Sequence, residues 1–239
     1  MAQVGNELTD GNAFQILNVY TEQLTNQYVF EGSAQIVMSE PYYEKLEGFP
    51  IVESLNYFYQ VKKLKERGIV VSYAESIPAR GRIYACAIES SNLRSAYRYL
   101  DGKCNGFSHF AIDKSRGDVL EIYVPLWQYD YNILSKSYQV ACFEYSGSPT
   151  GSYGKWECIN ISHTGRFDAM VLWVEYESSA QRKYKTFNNF HNQFVHLLPK
   201  SIQVKEGDVI KCMFDLDFVV EEKLRDFVFH VELENITSS

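Results

Sequence analysis

Cysteine is sparse in this sequence and forms no pattern. Five of the 239 residues are cysteine (Cys86, Cys104, Cys142, Cys158 and Cys212), and no two of them make a C-x-x-C pair. An odd, dispersed set argues against a disulfide frame and against structural zinc spacing; it predicts reduced thiols acting as small core residues on strands. His109, His163, His191, His196 and His230 are equally scattered, so no metal centre is expected. No Ser-His-Asp or Cys-His constellation can be picked out from residue order. No apolar run approaches the roughly 20 residues that cross a bilayer. The N-terminal stretch MAQVGNELTDGN is polar and has no signal-peptide hydrophobic region. No membrane partner is expected, and an intracellular location, cytoplasmic and/or nuclear, is the default. Without a secretory route, the triplets at Asn160 and Asn235 carry no glycosylation meaning. Basic stripes are missing too. The formal net charge is −7, which disfavours nucleic acid as a direct partner and suits either a basic peptide or plain solubility. No G-x-G occurs anywhere, so the glycine-rich turn that follows the first strand of a Rossmann-like sheet is lacking. Internal repeats, heptads and low-complexity tracts are also absent.

What is present favours β structure. The chain is 46% hydrophobic and 22% charged, with 18 tyrosines and 15 phenylalanines among many Val and Ile. Residues 1–12 read as unstructured. From Phe14 to Glu40 the pattern is strand, turn, strand, each strand short and apolar as in a buried parallel sheet. A helix follows over Ile51–Lys65, with Tyr57, Phe58, Val61 and Leu64 at helical spacing and Lys62, Lys63 and Lys65 facing water. Pro50 fits its first turn, and Gly68 ends it. Ile69-Val70-Val71 is a further strand, and Pro78 marks a boundary.

Beyond Pro78 the pattern changes. Arg82–Glu89, Glu121–Val124, Tyr138–Tyr145, Trp156–Ser162, Ala169–Tyr176, Phe194–Leu198, Val209–Asp215 and Phe227–Leu233 read as strands separated by Gly-, Ser- and Asn-containing turns, which predicts an antiparallel barrel or sandwich. Ser91–Lys103 is the helical exception, through Leu93, Ala96, Tyr97 and Leu100. Ser146–Lys155 and Ser178–Asn189 read as polar, mobile loops.

The chemistry concentrates at Ser39-Glu40-Pro41-Tyr42-Tyr43. Glu40 follows the apolar run Ala34–Met38, so it sits at the carboxyl end of a strand, where α/β sheets bind ligands. Glu53 lies on the helix that follows. Two converging carboxylates suit a guanidinium held by paired charge-assisted hydrogen bonds. Against this, Glu40 could be an ordinary strand-end residue, and Glu53 a solvated first-turn residue favoured by the helix dipole.

This arrangement resembles the double-glutamate loop of the protein arginine N-methyltransferases, and the likeness continues in order along the chain. Phe14–Thr25 looks like that family's fourth sheet strand, and Ala34–Glu40 like the next. Gly68–Glu89 is similar to the segment that leaves the sheet at a proline and enters the β-barrel. Phe167–Glu177 and His191–Asp208 (HNQFVHLLPKSIQVKEGD) look like paired barrel strands, with a Gln-aromatic-Val core and a Val-x-x-Gly-Asp turn. Within the family, the C-terminal repeat of the tandem enzymes, types seven and nine, is the most similar.

The resemblance implies a partial S-adenosylmethionine-dependent methyltransferase sheet over 1–77 and a β-barrel over 78–239, with an inserted helical arm at about 90–117. It implies transfer of methyl groups from S-adenosylmethionine to arginine in basic protein substrates, with Glu40 and Glu53 gripping the guanidinium. Glu44 and Glu47 lie inside a longer loop than the family's and could stand in for Glu53. Thr21-Glu22 matches the adenine-contacting pair and makes Glu22 the cofactor-binding candidate. His191 is the substrate-site candidate, displaced by one position from the family's Thr-His-Trp histidine; an unrelated loop histidine is the plainer reading. Without G-x-G and the acidic ribose ligand, the chain looks as if it begins halfway through the cofactor fold, with an incomplete site. A competing expectation is a non-catalytic module packed against a catalytic repeat, or a homodimer partner. An unrelated β-sandwich binding module is a third.

Overall fold

A thirteen-residue strand, Gly165–Glu177, lies at the centre of the larger sheet. The computed structural model of the chain describes residues 4–9, 12–17, 34–38, 60–97, 103–115, 120–145, 153–187, 191–216 and 229–237. In chain order the strands are β1 Val4–Thr9, β2 Asn12–Leu17, β3 Ala34–Met38, β4 Val70–Ile77, β5 Arg80–Glu89, β6 Lys103–Cys104, β7 Phe107–Ser108 and β8 Leu120–Val124. They continue as β9 Asn132–Ile133, β10 Tyr138–Glu144, β11 Tyr153–Asn160, β12 Gly165–Glu177, β13 Lys183–Lys185, β14 Gln193–Val204, β15 Val209–Leu216 and β16 Phe229–Thr237. The helices are α1 (60–66), α2 Ser91–Tyr97 and α3 Phe110–Ser115. No helix among the described residues is long and apolar enough to cross a membrane.

β12 is buried on both faces, and its alternation sorts two cores. Phe167, Met170, Leu172, Val174 and Tyr176 join one cluster, while Ala169, Val171 and Trp173 join another. Side chains alternate across a strand, so one apolar run feeds both faces of the sheet. β12 pairs antiparallel with β5 on one side and β14 on the other, and the sheet runs β10-β5-β12-β14-β8. β13 and β9 attach to β12 and β5.

A second sheet, β11-β15-β16, supplies Ile159, Ile210 and Cys212 to the first cluster. The strands of the expected barrel are therefore present, but among the described residues their hydrogen bonding does not close. β10 and β8 remain the ends of the larger sheet, and the smaller sheet joins it through an isolated Ser135–Ile161 bridge and a shared apolar core. Side-chain packing, worth roughly 1.5–3 kcal/mol per fully buried large residue, holds the two sheets together where no ladder does.

Upstream, β3 and β4 form a parallel pair with α1 between them in sequence. Val61 of α1 packs into the larger core and Leu64 against β4. Gly68 takes φ +70 and ends α1: its N–H reaches Lys65 O at 3.0 Å, and Ile69 N–H reaches Leu64 O at 3.1 Å. That double closure needs the left-handed conformation glycine adopts without a Cβ clash. A cis Ile77–Pro78 bond lies between β4 and β5.

Several sequence expectations change here. Residues 4–9 are not irregular; they pair antiparallel with 12–17, Thr9 opposite Asn12. β2 thus pairs with β1 as a hairpin, not as a parallel neighbour of β3. β3 is also not buried: Ile36 and Met38 are 57% and 73% exposed, because only Val37 and Ala34 turn toward the cores. Within the expected loop Ser178–Asn189, Lys183–Lys185 is strand, since Tyr184 pairs with Tyr176 of β12. Cysteine behaves as expected at Cys86 and Cys212, which are buried on strands, but Cys158 on β11 is exposed.

In the expected arm region, α2 begins at a Ser90 cap, with Leu93 N–H donating to Ser90 Oγ at 3.1 Å. It extends to Tyr97 rather than Lys103 within the described residues, and Arg94 pins it by donating to Leu198 O and Pro199 O.

Candidate functional site

Of the four site residues expected from sequence, Glu22, Glu40 and Glu53 lie outside the described residues, as do Glu44 and Glu47. His191 is described. It stands just before β14, and Nε2 of its ring lies 2.9 Å from the Tyr184 hydroxyl. The two rings meet edge to face, with centroids 6.1 Å apart and an interplanar angle of 77°.

Three anchors set that geometry. Tyr184 is carried on β13 by its pairing with β12. Thr186, one residue past β13, is fully buried; its hydroxyl donates to Val174 O at 3.0 Å and accepts from Val174 N–H at 3.3 Å. Gln193, two residues after His191, donates to Thr186 O at 2.9 Å and accepts from Leu126 N–H at 3.3 Å. Both ends of the segment that carries His191 are therefore tied to the sheet. Phe187 adds an apolar anchor, 4.4 Å from Trp173 between ring centroids.

Partial burial lowers the His191 pKa from its ordinary value of 6.5, because a low-dielectric site disfavours imidazolium. At neutral pH the ring is uncharged. Tyr O–H is then the natural donor to Nε2, and Nδ1 carries the ring's proton. Such a pair can orient a neighbouring polar group, but it carries no charge with which to grip one. Val37 of β3 and Tyr184 pack against the same core cluster, so the strand leading into Ser39-Glu40 and the His191 partner share one support.

A methyl-donor cradle is a different matter. Gly68, Gly106 and Gly207 are the described glycines with positive φ. Gly68 ends a helix, Gly106 turns the β6–β7 hairpin and Gly207 lies in the β14–β15 turn. None follows a strand into a helix, and no three metal-ligating side chains cluster among the described residues. No glycine-rich turn from a strand into a helix is present among the described residues.

No family model matches the chain, and no curated protein matches it. A solved structure does. A chain of the Trypanosoma brucei PRMT1 enzyme–prozyme heterotetrameric complex with AdoHcy superposes with a TM-score of 0.63, covering 89% of this chain and 70% of its own at 10% identity. The fold is arginine-methyltransferase-like. At that identity the likeness is one of fold. Within the methyltransferase-like fold, the paired strands expected over Phe167–Glu177 and His191–Asp208 are β12 and β14, in antiparallel register from Gly165 opposite Val204. The Gln193-Phe194-Val195 run is buried, and Val204–Asp208 forms a turn closed by Lys205 N–H donating to the Asp208 carboxylate at 2.8 Å.

The sequence singled out His191 as a candidate but gave no sign of Tyr184 beside it. Tyr184 sits in a stretch whose charged residues, Arg182, Lys183 and Lys185, read as loop. The recoverable signal was the alternation Lys183-Tyr184-Lys185, which is the period of a strand with one face covered.

Proposed function

We propose that this chain is the substrate-side portion of a protein arginine N-methyltransferase, acting on arginine in basic protein segments. The observation that carries the reading is the arginine-methyltransferase-like fold over 89% of the chain. It is joined to the parallel β3–β4 pair, whose first strand ends at Met38, two residues before Glu40. In this reading Glu40 and Glu53 hold the guanidinium by charge-assisted hydrogen bonds. They keep its positive charge away from the nitrogen that must act as nucleophile. His191, neutral and fixed by Tyr184, borders the same site, and Glu22 would meet the adenine edge of the cofactor. In this reading the methyl donor is S-adenosylmethionine, for which the described residues make no cradle.

The test is calorimetric titration with S-adenosylhomocysteine, first into the chain alone and then with an N-terminal methyltransferase repeat added. Labelled methyl transfer to an arginine-rich peptide follows. The reading expects transfer in the assembled system and a loss of about 10²–10³-fold in Glu40→Gln, the scale of removing one preorganised electrostatic contact. Transfer unchanged by Glu40→Gln would refute the assigned role.

A second reading is a non-catalytic module that packs against a catalytic chain. Phe107, Phe110 and Ile112, at 73%, 68% and 50% exposed, favour it, since three large apolar side chains stand in water within one short segment. The similar trypanosomal chain comes from an enzyme–prozyme assembly. This reading expects association with the catalytic repeat, no cofactor binding by this chain, and full activity of the complex with Glu40→Gln in place.

A further inference from the structure

Asn105-Gly106 is the one Asn-Gly pair in the sequence. It forms the two-residue turn between β6 and β7, with Cys104 opposite Phe107 and Lys103 opposite Ser108. Asn105 takes φ +49 and Gly106 φ +84, the left-handed pair of a type I′ hairpin turn, for which Asn-Gly is the favoured sequence. Every residue from Asn105 to Ser108 is exposed, and a Cβ at Gly106 would meet nothing within 4 Å. The helix that follows, α3, buries none of its residues either.

This turn is open to covalent chemistry of its own. The carboxamide carbon of asparagine, Cγ, is electrophilic, and the backbone nitrogen of the next residue can close a five-membered ring on it. Glycine in that next position has no Cβ to crowd the approach. A hairpin of two-residue strands is also barely stable by itself in water. Asn105 can therefore leave its left-handed well and bring Cγ against the Gly106 nitrogen without opening the larger sheet. Three other asparagines make the contrast. Asn132 and Asn160 are strand residues, paired with Glu89 and Val209 and each followed by a β-branched isoleucine. Asn92 Nδ2 donates to the Asp130 carboxylate at 3.0 Å.

We infer that Asn105 is a site of spontaneous deamidation, an ageing modification of the β6–β7 hairpin. The Gly106 nitrogen loses its proton to solvent and bonds to Asn105 Cγ. The Cγ–Nδ2 bond breaks, and Nδ2 takes up a proton and leaves as ammonia, which gives a cyclic imide. Water then opens the ring. Cleavage on the Cγ side gives aspartate; cleavage at the backbone carbonyl gives isoaspartate, whose main chain runs through Cβ and Cγ. The net change is amide plus water to acid plus ammonia, with no oxidant or reductant. Each product places a new carboxylate beside Phe107, which is 73% exposed. Isoaspartate also lengthens the backbone by one carbon, which a two-residue turn in this register cannot hold, so the β6–β7 pairing is lost.

The experiment incubates the full folded chain at pH 8 in water enriched in oxygen-18. Mass spectrometry follows the peptide that holds Asn105, with fragmentation that tells aspartate from isoaspartate. The expected result is a mass gain at Asn105, with solvent oxygen incorporated and isoaspartate among the products, at least about tenfold faster than at Asn132 or Asn160. Gly106→Ala should slow the gain at least about tenfold, because its Cβ crowds the ring closure. A rate at Asn105 no higher than at Asn132 and Asn160, or conversion only once denaturant is added, would overturn the site. Aspartate as the sole product, or an unchanged rate in Gly106→Ala, would overturn the imide route. If Gly106→Ala fails to fold, the products and the comparison with Asn132 and Asn160 still decide. Neither methylation nor cofactor binding is read, so failure here is distinguishable from failure of the proposed activity.

Discussion

Arg166 and Asp168 lie two residues apart on β12, and the guanidinium grips the carboxylate side-on, Nε to Oδ1 at 2.9 Å and Nη2 to Oδ2 at 3.0 Å. Asp168 is wholly buried. It also accepts the Ser90 N–H at 3.0 Å and the Ser201 hydroxyl. One carboxylate therefore ties the central strand to β14 and to the start of α2, with its ionised form fully hydrogen-bonded.

Removing that carboxylate leaves the Ser90 N–H and Ser201 hydroxyl without their acceptor, while the partly exposed Arg166 can return to water. Asp168→Ala is expected to cost about 3 kcal/mol. A urea midpoint gives the value; a change below about 0.5 kcal/mol, the range of an ordinary surface substitution, would contradict the anchoring role.

His191 gives a pH signature. Its folded pKa lies below 6.5 because burial disfavours the charged ring. Between the folded value and 6.5, the unfolded chain binds more proton than the folded one, so stability rises with pH across that window. The contribution is fully present above 6.5 and is lost as the pH falls toward the folded value. NMR titration of the ring should show a midpoint below 6.5 that moves upward in Tyr184→Phe, where Nε2 loses the hydroxyl that favours its neutral form. A midpoint at or above 6.5 in the native chain would sink this account.

Thiol chemistry should follow burial. Cys86 and Cys212 are pushed up to about 12, each mainly by desolvation, so almost no thiolate exists at neutral pH. Cys158 is exposed. Brief alkylation of the native chain at pH 8, read by mass spectrometry, should label Cys158 first and leave Cys86 and Cys212 unlabelled until denaturant is added. Early modification of Cys86 would show that the central sheet opens.

How far the sequence reached is visible element by element. The strands expected at Arg82–Glu89, Glu121–Val124, Ala169–Tyr176 and Val209–Asp215 all exist, each within a few residues of its expected ends. Alternation and β-branched content are local properties, readable without knowing the partner. Gly68 as the end of α1 was legible for the same reason, because a left-handed closure needs glycine in any context. The N-terminal hairpin was not legible. Val4–Thr9 is mostly polar, and its order comes from pairing with Asn12–Leu17 rather than from an apolar pattern of its own.

The candidate sites divide along the same line. His191 stood out in the sequence through a motif, but its fixed orientation depends on Tyr184, Thr186 and Gln193, which only the β12–β13–β14 pairing brings together. Asn105-Gly106 is visible in the sequence as a dipeptide, but its place in an exposed two-residue turn follows from the β6–β7 register. The sequence by itself determined where strands run, where α1 stops and which residues are apolar enough for a core. Only the tertiary structure decided that β12 lies between β5 and β14, that the described strands of the expected barrel form two sheets joined by one backbone bridge and a shared core, and that Ile36 and Met38 face water. Local patterns fix backbone conformation, but pairing and register are contacts between distant segments, chosen by the packing energy of the whole chain.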